Sequence, residues 1–140
     1  MPTRQEAIDL ILDHFDHPRN FGAMPNPDSV ASGRNPVCGD VVTVCLRITG
    51  GRIETASFEG RGCTISQSAA SITVEQIIGK SLADLMRMDG DSLAAEMGAD
   101  VMGSRHRCAT LALNALKFAA TQYRNGTAIR SQADAPVMDF

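Results

Sequence analysis

Val41-Val42-Thr43-Val44-Cys45-Leu46-Arg47-Ile48 and Ile53-Glu54-Thr55-Ala56-Ser57-Phe58 are two runs in strand period, separated by Gly50-Gly51. In the first run Val42, Val44, Leu46 and Ile48 fall on one face and Val41, Thr43, Cys45 and Arg47 on the other. The glycine pair supplies the backbone freedom a tight connection needs, so the two runs read as an antiparallel hairpin. What flanks the hairpin is helical. Upstream, Thr3 with Glu6 forms a capping box, and Ile8, Ile11, Leu12 and Phe15 follow along one helical face as far as Pro18. Downstream, Ser66 to Ile78 carries Ala69, Ala70, Ile72, Thr73 and Ile77 and stops at Gly79. Ser81 with Asp84 opens a short helix, Asp91 caps another through Met97, and Ala109 to Tyr123 is a long alanine-rich helix. Phe21 to Pro36 is mostly loop, with a short edge strand from Asp28 to Ser32, and Met86, Met88, Met97 and Met102 read as core filling. The order predicts one α+β domain over residues 1–123. Residues 124–140, without sustained periodicity, are expected as a flexible C-terminal tail.

The chain has 140 residues, 44% of them apolar, which is enough for one core. Thirteen basic against sixteen acidic residues give a net charge of −3, and no stretch concentrates Lys and Arg. A phosphate-tracking surface is therefore excluded, and nucleic acid with it. No apolar run approaches the roughly 18 residues of a membrane span, and the N-terminus has no apolar leader. The expectation is a soluble, cytoplasmic protein with no membrane partner. In that reducing compartment four cysteines point to metal or sulfur chemistry before disulfides.

Three of the cysteines stand in glycine-rich or helix-entry settings: Asn35-Pro36-Val37-Cys38-Gly39-Asp40, Gly60-Arg61-Gly62-Cys63-Thr64-Ile65-Ser66 and Ser104-Arg105-His106-Arg107-Cys108. No local loop spans all three, so only the fold can bring them together. Cys63 and Cys108 precede predicted helices, where unpaired N–H groups and the helix dipole favour a thiolate. Asp40 follows Cys38 by two residues, and on extended backbone the two side chains point the same way, which adds a hard oxygen donor. Cys38, Asp40, Cys63 and Cys108 are thus the candidate metal ligands. Spacing alone leaves open whether they form a structural zinc knot or a functional site. Cys45, inside the alternating strand, reads as a small buried hydrophobe. His14 and His17 read as cap or surface residues, and His106 is a marginal ligand because its side chain diverges from Cys108 on a helix-entry turn.

The segments Asp13-His14-Phe15-Asp16-His17-Pro18-Arg19-Asn20, Asn35 to Asp40, Gly62-Cys63-Thr64-Ile65-Ser66-Gln67-Ser68-Ala69-Ala70-Ser71 and Arg107-Cys108-Ala109-Thr110-Leu111 resemble the U-type iron-sulfur cluster assembly family, which comprises IscU, SufU and the NifU N-domain. The resemblance runs over roughly residues 4 to 123. It implies an α+β fold with a three-stranded antiparallel sheet, helices packed on one face, and the three cysteines converging at one exposed end. It also implies the function of an assembly scaffold and sulfur acceptor. Such a protein receives persulfide sulfur from a separate cysteine desulfurase, with Cys38 as acceptor, and builds or passes on a [2Fe-2S] cluster to apo iron-sulfur proteins or carriers. Cys38, Asp40, Cys63 and Cys108 would hold Zn2+ at rest and the cluster transiently. Arg107 stands where Isc-type members have a histidine and cannot ligate, since a guanidinium stays protonated. That resembles the SufU-like branch, although the insertion typical of that branch is missing between Cys63 and Cys108. The rival functions are a zinc-dependent sulfurtransferase that activates a desulfurase, the most the chain would be as an enzyme, and a purely structural zinc module.

Overall fold

The structure is a computed structural model and describes residues 2–140; the side chains of Ala99, Met102 and Ser104 lie outside the described set, so the expectation for Met102 is not addressed. The hairpin forms as read. Strand β2 (Asp40–Thr49) pairs antiparallel with β3 (Arg52–Arg61) through the turn at Gly50-Gly51, with an irregularity of register after Arg47. On the other side β2 pairs antiparallel with β1 (Ser29–Asn35), which is an interior strand rather than a short edge. Its polar residues hide the pattern: Ser29 Oγ donates to the Ala119 carbonyl at 2.7 Å, and the Ser32 and Thr43 hydroxyls meet at 2.6 Å. Hydrogen-bond partners are what let these polar side chains be buried.

The sheet has four strands, in the order β3-β2-β1-β4, where three were expected. The fourth comes from the stretch expected as a tail. Strand β4 (Val137–Asp139) runs parallel to β1, tied by an Arg34 to Asp139 ion pair at 2.9 Å and by the Phe140 N–H donating to the Arg34 carbonyl. Three residues are too few to show a period, and backbone pairing needs no side-chain pattern. The far edge of the sheet is covered in part. There Phe58 pairs with the Asn20 to Gly22 backbone, and Ile53 with the Gly79 to Lys80 backbone.

Helices α2 (Thr64–Ile77) and α6 (His106–Arg124) lie on one sheet face and enclose Val42, Val44, Leu46, Ile48, Ile53 and Phe58 with Ala69, Ala70, Leu111, Leu113 and Leu116. Alanine at the facing helix positions lets the helices approach closely. Helix α1 (Arg4–Asp16) packs on α2, and its capping box is present as read: Thr3 Oγ1 accepts from the Glu6 N–H at 3.1 Å and Glu6 Oε1 accepts from the Thr3 N–H at 3.0 Å. Ser81 caps α3 (Leu82–Arg87), whereas Asp89, not Asp91, caps α4 (Gly90–Glu96). A short α5 (Ala99–Met102) leads into α6. Met97 is fully buried, and Met86 and Met88 pack against the core. Cys45 lies on the opposite sheet face with Met24 and Val30, buried as expected, and burial pushes its thiol above the ordinary range. Among the described residues no helix is long and apolar enough to cross a membrane.

Candidate functional site

Each of the three cysteines is presented by a different kind of local structure, all at one end of the sheet. Cys38 sits in the four-residue connection between β1 and β2, closed by the Gly39 N–H donating to the Asn35 carbonyl at 2.8 Å. Gly39 adopts φ +76°, a conformation that side chains strain, and it lets the loop turn sharply just after Cys38. The loop tip is open: Val37 is 80% exposed and Cys38 is exposed. Asp40 begins β2 and is buried.

Cys63 is the N-cap residue of α2, with extended backbone and no side-chain capping bond, so its sulfur stays free for other partners. Asp40 holds it in place: Oδ1 accepts the Cys63 N–H at 3.2 Å and Oδ2 stands 3.7 Å from the Cys63 sulfur. Gly62 makes this approach possible. A Cβ there would lie 2.6 Å from Asp40 Oδ1 and 2.5 Å from Ser66 Oγ, far inside contact distance.

Cys108 lies inside the first turn of α6, because the helix begins three residues earlier than expected, and is 2% exposed. Its thiol is pushed well above the ordinary range, by burial first and then by the Asp40 and Cys63 side chains beside it. The expectation that a helix N-terminus lowers this thiol is thereby reversed, because desolvation outweighs the dipole in the metal-free protein. The same burial keeps it a protonated thiol, and a bound metal cation would displace that proton to make the thiolate ligand.

The ligand atoms of Cys38, Asp40 and Cys108 lie within 4.8 Å of one another. The Cys63 thiol is beside Asp40 but outside that group of three. All four residues line one cleft of about 930 Å³ together with Asn35, Arg61, Arg105 and Arg107. His106 takes no part: its Nε2 meets Asp91 Oδ1 at 2.9 Å at the surface. His14 is not a surface cap, since it is 4% exposed and hydrogen-bonded to Ser71 Oγ at 2.7 Å. His17 is exposed, near Asp13.

Two further side chains of the cleft escaped the sequence reading. Asn35 is buried; its Oδ1 accepts the Val37 N–H at 3.1 Å and its amide nitrogen stands 3.8 Å from the Cys108 sulfur. The signal was present in Asn35-Pro36, since Asn before a turn commonly bonds the backbone two residues on. Arg105 lines the cleft near Cys63, and that thiol first, then Cys108 and Cys38, raises its guanidinium above the ordinary value. Nothing in a lone arginine ahead of a helix announces that placement. Three thiols, a carboxylate and a cationic rim in one open cleft can hold a soft or borderline metal and let a second protein reach Cys38.

Comparison with known proteins agrees with this geometry. The sequence model described as NifU-like N terminal domain matches residues 6–129. An iron-sulfur cluster assembly scaffold protein, IscU 1 of Archaeoglobus fulgidus, is 33% identical over 120 residues, covering 84% of this chain and 78% of its own. The zinc-dependent sulfurtransferase SufU of Bacillus subtilis is 31% identical over 134 residues, covering 84% of this chain and 90% of its own. The crystal structure of a nitrogen-fixing NifU-like protein, N-terminal part, from Brucella abortus superposes with a TM-score of 0.71 over 85% of this chain and 98% of that one, at 21% identity, a likeness that bears on the fold alone. The chain belongs to the NifU-like N-terminal domain family, as its motifs led us to expect.

Proposed function

We propose that this protein is an iron-sulfur cluster assembly scaffold and sulfur acceptor that works with a cysteine desulfurase. The observation that carries the reading is the convergence of Cys38, Asp40 and Cys108 ligand atoms within 4.8 Å, with Cys63 held beside them by Asp40. The donor set fits the metal. Three thiolates and one carboxylate match tetrahedral Zn2+, and the same soft sulfurs suit iron. Cys38, Asp40, Cys63 and Cys108 would hold the resting zinc, whose chemistry is to keep the thiolates deprotonated and protected. The [2Fe-2S] cluster is cargo, built on those ligands and handed to apo-proteins.

Cys38 is the sulfur acceptor. It is the exposed thiol of the set, on a loop whose tip protrudes. Its thiolate attacks the terminal sulfur of the donor's persulfide; the donor's S–S bond breaks as the new one forms, and the donor cysteine leaves as thiolate, with no net oxidation. Arg61, Arg105 and Arg107 around the cleft favour the anions on both sides of that exchange.

The test is anaerobic incubation of the zinc-loaded protein with desulfurase, cysteine and ferrous iron. Visible absorption bands of a [2Fe-2S] cluster that require Cys38, Cys63 and Cys108 are expected; a colourless protein sinks the scaffold reading. A second reading, a zinc-dependent sulfurtransferase, is favoured by Arg107 in place of a histidine ligand and by the exposure of Cys38. It is the outcome if desulfurase turnover accelerates, zinc is retained and no cluster forms.

A further inference from the structure

A second hollow, of about 460 Å³, adjoins the thiol cleft and shares Arg61 and Gly62 with it. Its walls are Phe15, Pro18 and Phe21, the two phenylalanines being 42% and 56% exposed, and its lining includes His14 and Gln67. Of its polar groups, His14 and Gln67 do not line the thiol cleft. The Gln67 amide nitrogen is buried with no hydrogen-bond partner. His14 is fixed by a chain of bonds: the Arg19 N–H donates to Ser71 Oγ at 2.8 Å, and Ser71 Oγ lies 2.7 Å from His14 Nδ1. Ser71 Oγ accepts from Arg19, and its hydroxyl hydrogen turned to Nδ1 would place the ring proton on Nε2, the tautomer that suits an acceptor in the hollow. Burial, then the charge of Arg19, holds His14 below its ordinary value, which keeps it a neutral donor. Among the described residues Nε2 has no partner, and Arg61 makes no salt bridge. Unmatched donors, one free cation and aromatic walls call for a group that only accepts.

We propose that this hollow is the docking socket for an Asp or Glu carboxylate of the sulfur-donating partner, carried on a loop whose apolar neighbour lies across Phe15 and Phe21. The proposal rests on the function proposed above, since a protein that delivers sulfur to Cys38 must cover the cleft and therefore the rim it shares with the hollow. A carboxylate there gives Nε2 of His14 and the amide of Gln67 the acceptor each lacks and faces Arg61. It also explains why an unsatisfied buried amide, normally a cost to the fold, is kept.

Gln67 provides a test in which stability and binding separate. Zinc-loaded wild type, Gln67→Met and Gln67→Glu are titrated calorimetrically with the desulfurase from the same genome, and each is melted alone. Removing an unpartnered amide leaves the melting temperature of Gln67→Met at or above wild type, while its Kd for the desulfurase rises about tenfold. Gln67→Glu, which sets like charge against the carboxylate, weakens binding further. Met binding within about twofold of wild type, or Glu binding more tightly than Met, overturns the proposal. If Gln67→Met melts below wild type, Phe15→Ala, at an exposed ring, decides by the same Kd criterion. A wild type that binds no desulfurase refutes the proposed function and takes the socket with it, whereas binding that ignores these substitutions refutes the socket alone.

Discussion

Asn35 and Cys108 are 73 positions apart in sequence, yet the Asn35 amide nitrogen stands 3.8 Å from the Cys108 sulfur while the Asn35 Oδ1 accepts the Val37 N–H. One buried side chain thereby fixes both the loop that carries Cys38 and the distance from that loop to the helix that carries Cys108. Asn35→Ala is expected to lose about 1–3 kcal/mol of stability, since the Val37 N–H loses its acceptor. Zinc affinity should fall about tenfold or more, as it does when a ligand loses its orienting neighbour. Urea denaturation and competition with a chromophoric chelator measure the two effects. Unchanged zinc affinity would mean the contact with Cys108 is incidental.

The thiols of the metal-free protein should alkylate in a fixed order. Cys38 is exposed, Cys63 is half-buried, and Cys45 and Cys108 are buried with thiols raised by that burial. Iodoacetamide at neutral pH is expected to modify Cys38 first, Cys63 next, and the other two only on unfolding, because the reactive species is an accessible thiolate. Peptide mapping by mass spectrometry reads the order, and zinc should protect Cys38. Early labelling of Cys108 would contradict the geometry.

Asp40 is both a candidate ligand and the support of Cys63, so Asp40→Ala has two separable consequences. The apo-protein should lose about 1–3 kcal/mol because the Cys63 N–H is left without an acceptor. A hard oxygen is the most exchangeable ligand among soft sulfurs, so a reconstituted cluster in the variant should outlast that of the wild type in air. Visible absorbance against time decides; faster decay would mean that Asp40 serves only as the support.

His14 predicts an acid-sensitive stability. Burial lowers its folded value, so the folded protein keeps it neutral while the unfolded chain takes a proton near the usual value of about 6.5. Below that pH the unfolded state binds more protons than the folded one, and stability falls as pH drops through the ordinary value towards the folded one. Urea midpoints at about pH 7.5 and 5.5 should differ more for wild type than for His14→Gln. Equal slopes would show that His14 does not titrate on unfolding.

The hairpin, the capping box at Thr3 and the buried face of α6 were legible because period and capping chemistry are local properties. Helix α2 began two residues before the expected Ser66, since Thr64 and Ile65 follow the cap at Cys63 directly. Strand β1 was harder to read, because Ser29, Ser32 and Asn35 are buried polar residues whose partners lie far along the chain. The four candidate ligands were legible as types in settings that suit them, and the fold does gather them in one cleft. What no sequence window holds is the competition between burial and helix dipole at Cys108, or the placement of Arg105 in the cleft that Cys63 lines. Both are tertiary quantities.

The covered edges of the sheet carry one more implication. Strand β4 occupies the outer side of β1, and the Asn20 to Gly22 and Gly79 to Lys80 segments occupy the outer side of β3. These pairings shorten the open ladder left along β1 and β3, so a foreign strand finds little unbroken length on which to register there. Main-chain adhesion is thereby disfavoured, and recognition falls chiefly to side chains such as those of the loop end around Cys38, where partners can be told apart.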